Sequence, residues 1–178
     1  TEIYTLSLHD ALPILKRLDR AAREVVIALD EIVWAVNPAH DTLEGLGNYL
    51  SQYATEVTAD SPLRCRLEVP ALLPARFISS GVRHHVLMAL KEALTNVHKH
   101  ASATEVRIGF RFDDPTLVLT VADDGRGFDP AAAPAGNGIA NMQRRLAAAG
   151  GTCEIRSAPG AGTTVTLILR LEPPPPAR

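Results

Sequence analysis

Cysteine, surplus charge and long apolar runs are all scarce in this chain, and each scarcity excludes a class of protein. Its 2 cysteines cannot build a disulfide framework, and no Cys/His cluster has zinc-site spacing, so we expect a reducing compartment. The 18 Lys and Arg against 20 Asp and Glu lack the basic surplus of dedicated nucleic-acid binders. No apolar run approaches the roughly 20 residues that cross a bilayer, and no secretory signal is visible. We therefore expect a cytoplasmic chain that contacts neither nucleic acid nor membrane directly.

What is present indicates a folded protein with one unusual feature. The 178 residues are 46% apolar, which is enough for a hydrophobic core and suits one domain, or a small domain with an appendage. The glycines are unevenly placed, because eight of the 12 lie between Gly125 and Gly162. This crowding directs attention to the C-terminal half of the chain.

The N-terminal part of the chain predicts a leader followed by a long helix. Residues 1–14 show no clear period, contain Pro13 and look like a translated adapter remnant, so we interpret them as a non-native leader. Apolar residues then recur at steps of three and four, which is the pattern of an a/d seam and favours dimerisation over packing on the same chain. We expect a homodimer through the 15–36 helix. The seam consists of Leu15, Leu18, Ala22, Val25, Leu29, Ile32 and Val36.

Further along, the pattern predicts a linker helix and then a mixed α+β domain. Asn37-Pro38 stops the first helix, and Asp41 with Glu44 forms a capping box that opens a second helix over about 42–58. We place the domain boundary near residue 60, so that 15–60 holds the partial dimerisation helix and the linker helix. Elements then follow in the order β-α-β-β-α-β-β through residues 61–172, which predicts a two-layer α/β sandwich, a mixed sheet covered by helices. Residues 173–178 are proline-rich, and we expect a disordered tail there.

Two groups of residues could carry chemistry. Glu92, Asn96 and the pair Lys99/His100 recur at one helical face, where a carboxylate and an amide could reach Mg²⁺ and a lysine could meet a phosphate. Taken alone, a solvated polar face explains this spacing better. Asp123 falls on the inward face at a strand end, where it needs a hydrogen-bond donor such as the adenine amine. The alternative is an ordinary turn after a strand.

The remaining glycines suit a bound nucleotide. Gly125 and Gly127 would let the backbone approach a base. Gly136 and Gly138 open a helix, whose N-terminus suits phosphate. Thr163 follows the Gly160–Gly162 turn and could place a hydroxyl near the base, although a plain hairpin turn is equally possible.

Four segments together resemble a known family. ALKEALTNVHKHA (89–101), VADDGRGF (121–128), GNGIANMQRRL (136–146) and PGAGTTVTL (159–167) are similar to the N, G1, G2 and G3 boxes of the gyrase/Hsp90/histidine-kinase/MutL ATPase superfamily. The details most resemble sensor histidine kinases of the class that pairs with LuxR-type response regulators. The segment 29–50 also resembles the second bundle helix and linker of that class. The resemblance covers about residues 16–171 and implies a histidine-kinase-type ATPase catalytic domain over 61–172.

The resemblance implies a role for each candidate residue. Asn96 would coordinate Mg²⁺, Glu92 would polarise the attacking nucleophile, and Lys99 and His100 would contact phosphates. Asp123 would accept from the adenine amine. The remaining binding residues implied by the resemblance, lining the base pocket, flanking the phosphates or supporting Asp123, are Gly125, Gly127, Gly136, Gly138 and Thr163. The implied cofactors are ATP and Mg²⁺, and the implied partners are a second copy of the chain and a response regulator with a receiver domain.

The resemblance also implies that the phospho-accepting histidine is missing from this fragment. His9 lies too close to the start of the seam to leave room for a preceding helix, and Pro13 intervenes. We therefore expect ATP-dependent protein histidine kinase activity without self-phosphorylation. Two alternatives share parts of the pattern: an anti-sigma-factor-type serine protein kinase of the same superfamily, and a non-catalytic dimeric nucleotide-binding module.

Overall fold

The structure is a computed structural model that describes residues 13–15, 17–19, 22, 25, 29, 33–34, 37–59, 61–131 and 137–172. Contacts divide the chain into two compact units, residues 1–37 and 38–178. Several predicted features lie outside the described residues: most of the leader, Ile32 and Val36 of the seam, Gly136 and the 173–178 tail.

In the first unit, the described residues from 13 to 34 are helical, as the seam pattern predicts from residue 15 onward. The described seam residues are exposed, with 57% of Leu15, 61% of Leu18, 58% of Val25 and 55% of Leu29 accessible to solvent. Val33, which lies off the seam, is 61% exposed. An apolar row at helical spacing that remains open to water is typical of a helix that packs on another chain.

The described residues of the second unit form three α-helices and five β-strands. The helices are α1 (Leu43–Ala59), α2 (Ser80–Asn96) and α3 (Asn137–Ala148). The strands are β1 (Arg64–Glu68), β2 (Glu105–Asp113), β3 (Thr116–Asp123), β4 (Gly151–Ser157) and β5 (Thr163–Arg170). From β1 onward this is the predicted order.

The strands form one mixed sheet in the order β1-β2-β3-β5-β4. β1 pairs parallel with β2, and the other three pairings are antiparallel. Side chains on one face of the central strands are buried, among them Ile108, Leu119 and Leu167, while their neighbours in sequence are partly exposed. This period of two confirms the predicted α+β sandwich, because a sheet buried on a single face needs one covering layer of helices.

The position of α1 differs from the domain boundary that we placed near residue 60. Its apolar side chains, including Leu46 and Leu50, are buried in the second unit. Its start is joined to a distant segment by the Leu43 N–H, which donates to the Arg76 carbonyl at 2.9 Å. The division between the units therefore falls after Asn37, where Pro38 starts a short 3-10 turn.

Side-chain hydroxyl groups cap the first turns of α1 and α2. The Ser79 hydroxyl caps α2 by accepting from the Val82 N–H at 3.4 Å. At α1, however, the capping hydroxyl is that of Thr42, which accepts from the Gly45 N–H at 3.0 Å. Asp41, the predicted cap, instead binds Arg83 at 2.5 Å. The capping box differs because a buried guanidinium recruits the carboxylate.

Candidate functional site

A cavity of about 440 Å³ opens between α2, the start of α3 and the sheet. Seven of the nine candidate site residues that the structure describes line it, and they come from separate stretches of the chain. These residues are Glu92, Asn96, His100, Asp123, Gly127, Gly138 and Thr163. The fold therefore gathers the four glycine- and polar-rich segments around one space.

Asp123 lies at the end of β3, on the face that points inward, opposite Val106 on one side and Thr163 on the other. Its Oδ1 accepts from the Gly125 N–H at 2.9 Å. Burial raises the pKa of this carboxyl above its ordinary value, and bonds from the backbone N–H groups of Gly125 and Thr163 oppose the rise. A half-buried carboxylate with spare acceptor capacity is suited to a ligand that donates hydrogen bonds.

The neighbouring Asp124 has a structural task. Its carboxylate accepts from the Thr104 N–H at 2.8 Å, the Thr104 hydroxyl at 2.5 Å and the Glu105 N–H at 2.9 Å. These bonds, led by the Thr104 hydroxyl, lower the pKa of Asp124 to about 2. Asp124 thus ties the end of β3 to the start of β2, and leaves Asp123 to face the cavity.

The glycines after Asp123 allow backbone segments to touch. A Cβ on Gly125 would meet the Ala101 carbonyl, and Gly127, at φ +56°, would meet the Ala158 carbonyl. Gly125 is buried and does not line the cavity, so its contribution is close packing against the end of the α2 segment. Gly127 lies in the cavity wall beside the turn before β5.

At the other wall, α3 begins against α2. A Cβ on Gly138 would meet the Glu92 Oε1 atom and lie 3.7 Å from Asn96 Nδ2. The first turn of α3 therefore approaches the carboxylate and the amide that one face of α2 presents to the cavity. Free N–H groups at such a helix start attract phosphate oxygens.

The end of α2 decides which of Lys99 and His100 reaches the cavity. After Asn96 the chain makes a π-helical turn, Val97–Ala101. Because a π turn contains more residues per turn than an α turn, Lys99 is rotated away from the Asn96 face and His100 stays near it. Accordingly His100 lines the cavity, whereas Lys99 is exposed and does not line it.

Most of the apolar wall of the cavity was not predicted from the sequence. Val121 and Val165 could have been found from strand alternation, since they share the inward face with Asp123 and Thr163. Ile139 and Met142 lie three residues apart on α3 and point at the same space. Arg126 and Phe128, within the DGRGF segment, also line it. Apolar walls with one acidic acceptor form a pocket suited to a flat base that carries an amine.

Comparison with known proteins agrees with this geometry. Residues 81–173, which include every cavity-lining residue, match the family described as histidine kinase-, DNA gyrase B-, and HSP90-like ATPase. The chain belongs to this ATPase family. The resemblance drawn from the four sequence segments is thereby confirmed at the level of the ATPase domain, while pairing with LuxR-type regulators stays a prediction.

Individual relatives of this ATPase-family chain are sensor kinases. It is 30% identical over 133 residues to sensor histidine kinase LiaS of Bacillus subtilis (strain 168), covering 74% of this chain and 36% of LiaS. Among solved structures, the histidine kinase domain of a blue-light activated histidine kinase from Erythrobacter litoralis shares the fold with a TM-score of 0.59 at 20% identity, over 71% of this chain and 61% of that one. Full-length ShkA in complex with AMPPNP has a TM-score of 0.63 at 17% identity, over 98% of this chain and 41% of ShkA. The chain thus spans about a third of the length of LiaS.

Proposed function

We propose that this chain is the ATP-binding catalytic part of a sensor histidine kinase, which transfers the ATP γ-phosphoryl group to a histidine nitrogen. The observation that carries the proposal is the meeting, in one cavity, of an inward acidic acceptor from the sheet and a carboxylate-amide pair from α2. Asp123 would accept from the adenine amine, and the apolar side chains of Val121 and Met142 would enclose the ring. The names of the curated and structural relatives support the same activity.

The residues at the α2–α3 wall fit a magnesium ion that arrives with the nucleotide. Mg²⁺ prefers carboxylate and amide oxygens, completed by phosphate oxygens and water. Within the described part of the chain, no group of three or more His, Cys, Asp or Glu residues could hold a metal by itself. Asn96 would therefore hold Mg²⁺ together with the phosphates, and the ion would neutralise phosphate charge. We also propose that His100, Gly136 and Gly138 contact or flank the phosphates. Lys99 lies outside the cavity wall, so the structure does not favour the phosphate contact that the sequence implied for it.

In the proposed reaction, the protein accelerates phosphoryl transfer mainly by positioning the reacting groups. A neutral imidazole nitrogen attacks the γ-phosphorus with its lone pair, the bond from phosphorus to the β,γ-bridging oxygen breaks, and ADP leaves. Glu92 would hold the other imidazole N–H, directly or through a water, and so orient the ring. The N-terminus of α3 would stabilise the phosphate charge with its free N–H groups.

We propose that the functional unit is a homodimer through the 15–36 helix. The exposed row of Leu15, Leu18, Val25 and Leu29 supports this assignment, because a dimer would remove that row from water. The partner in signalling would be a response regulator with a receiver domain. In the part of the chain that the structure describes, no helix is long and apolar enough to span a bilayer. We propose a cytoplasmic location for this domain.

The direct test is phosphotransfer in trans. The full chain is incubated with [γ-³²P]ATP and Mg²⁺, alone and with a separate helical segment that carries an accepting histidine. We expect label on the added segment that is lost in acid and stable in base, as phosphohistidine is, and none on the chain alone. Acid-stable label on a serine of an added protein would instead assign the chain to serine kinases, and ATP binding without any transfer would assign a nucleotide-binding module.

A further inference from the structure

The Ser157 hydroxyl lies outside the cavity and is hydrogen-bonded to three groups, two of which belong to residues that line the cavity. Ser157 is the last residue of β4 and pairs with Thr163, the first residue of β5. Its Oγ lies 2.9 Å from the Phe128 N, 2.9 Å from the Gly162 O and 3.0 Å from the Thr163 Oγ1. Phe128 and Thr163 line the cavity, and Ser157 does not.

The direction of each bond follows from counting protons. The Phe128 N–H can only donate and the Gly162 carbonyl can only accept, while a serine hydroxyl has one proton to give. Ser157 therefore accepts from Phe128 and donates to Gly162. In the third bond Ser157 has only a lone pair left, so the Thr163 hydroxyl must be the donor. Its proton is then turned away from the cavity, and Thr163 presents acceptor lone pairs there.

We propose that Ser157 is a positioning residue for base selectivity, because it fixes the Thr163 hydroxyl as an acceptor beside the Asp123 carboxylate. Asp123 and Thr163 are register partners on β3 and β5, so two acceptors stand side by side at one wall. Such a pair favours a purine with an amine at position 6 and disfavours one with a carbonyl oxygen there, which would face lone pairs on both sides. The inference rests on the proposed function, since it concerns the base half of the ATP site.

The test compares ATP with inosine triphosphate, which carries the carbonyl oxygen at position 6. Calorimetric titration of the full chain gives the ratio of the two affinities. In Ser157→Ala the Thr163 hydroxyl is released and can donate to that oxygen, so we expect the preference for ATP to fall by about tenfold. A purely structural role of Ser157 would weaken both nucleotides in parallel and leave the ratio unchanged, which would overturn the proposal.

A double-mutant cycle isolates the hydrogen bond between Ser157 and Thr163. In a Thr163→Val background, Ser157→Ala should no longer change the ratio, whereas in Thr163→Ser, which keeps a hydroxyl, it should still lower the ratio. Ser51→Ala is the matched control, because it removes a serine hydroxyl that donates to a glycine carbonyl at 2.7 Å on α1. It should leave the ratio as in the parent chain.

The outcomes separate this inference from the proposed function. If the parent chain binds neither nucleotide, both the role of Ser157 and the proposed function are wrong. A parent chain that prefers ATP, with a ratio insensitive to Ser157→Ala, overturns only the role of Ser157. Should Ser157→Ala fail to fold, Thr163→Val alone decides, since an unchanged ratio in that variant also contradicts the proposal.

Discussion

The Glu92 carboxylate occupies the space where a side chain on Gly138 would begin. Any Cβ at position 138 must displace Glu92 Oε1, which lies at the flexible end of its side chain. The contact joins α2 to the first turn of α3, and so links the proposed nucleophile-orienting residue to the proposed phosphate site.

Gly138→Ala should therefore impair transfer more than folding. Alanine is the better helix former by about 1 kcal/mol, which offsets the cost of moving Glu92. A misplacement of a catalytic group by about 1 Å can cost up to about a hundredfold in rate. We expect a drop of tenfold or more in phosphotransfer to a supplied histidine helix, with a melting temperature close to that of the parent chain. Gly81→Ala, on α2 with open space around it, is the control and should transfer at the parent rate.

Breaking the Arg83–Asp41 ion pair should destabilise the second unit. Arg83 is fully buried and Asp41 is 22% exposed in its side chain. Removing one member of such a pair leaves the other charge without its counterion, so Arg83→Met should lower the free energy of unfolding by about 3 kcal/mol. Arg111→Ala removes an exposed pair with Asp113, at 3.0 Å, and should cost less than about 1 kcal/mol. Equal urea midpoints for the two variants would contradict this assignment.

The Asp124 carboxylate should make the free energy of unfolding depend on pH. Its folded pKa of about 2 lies below the ordinary value, so its contribution is present in full above the ordinary aspartate range and is lost as pH falls towards 2. The stability difference between the parent chain and Asp124→Asn should be constant near neutrality and should shrink as the pH falls from about 5 towards 2. Denaturant unfolding at several pH values measures it. A difference that grows on acidification would show that the carboxylate is not held in its charged form.

Much of the fold could be predicted because its signals are local. Strand alternation placed Asp123 on the inward face, and the order of elements from β1 onward was predicted from local patterns. Longer-range features could not be predicted. The recruitment of Asp41 by Arg83, and with it the place of α1 in the second unit, depends on contacts across the fold.

In the candidate site too, local spacing was predictable, whereas features that depend on contacts across the fold were not. The spacing of Glu92 and Asn96 predicted a shared face, and the structure brings both into the cavity. The π turn that separates His100 from Lys99 could not be predicted, because the spacing of these residues fits a regular helix equally well. Gly125 was assigned to the base pocket, whereas it packs against Ala101, a residue whose position depends on that turn.

The exposed seam should drive self-association. Leu18→Glu together with Val25→Glu puts charge into the apolar row, and we expect the chain to sediment as a monomer where the parent sediments as a dimer. Arg17→Glu changes charge on an exposed residue off the seam and should leave the dimer intact. A parent chain that is monomeric at all concentrations would contradict the role of the 15–36 helix.

We propose that this cavity binds ATP through Asp123. Losing a charged acceptor for the adenine amine removes about 1.5–3 kcal/mol, which is roughly a 10- to 100-fold loss of affinity. Because the pKa of Asp123 is raised, affinity in the parent chain should also begin to fall on acidification above the ordinary aspartate range, an effect absent from Asp123→Asn.

The most direct measurement is a calorimetric titration of the parent chain and of Asp123→Asn with ATP and Mg²⁺ at pH 7.5. We expect one site per chain in the parent and a 10- to 100-fold weaker site in the variant. Equal affinities in the two chains, or no binding by either, would contradict the proposal.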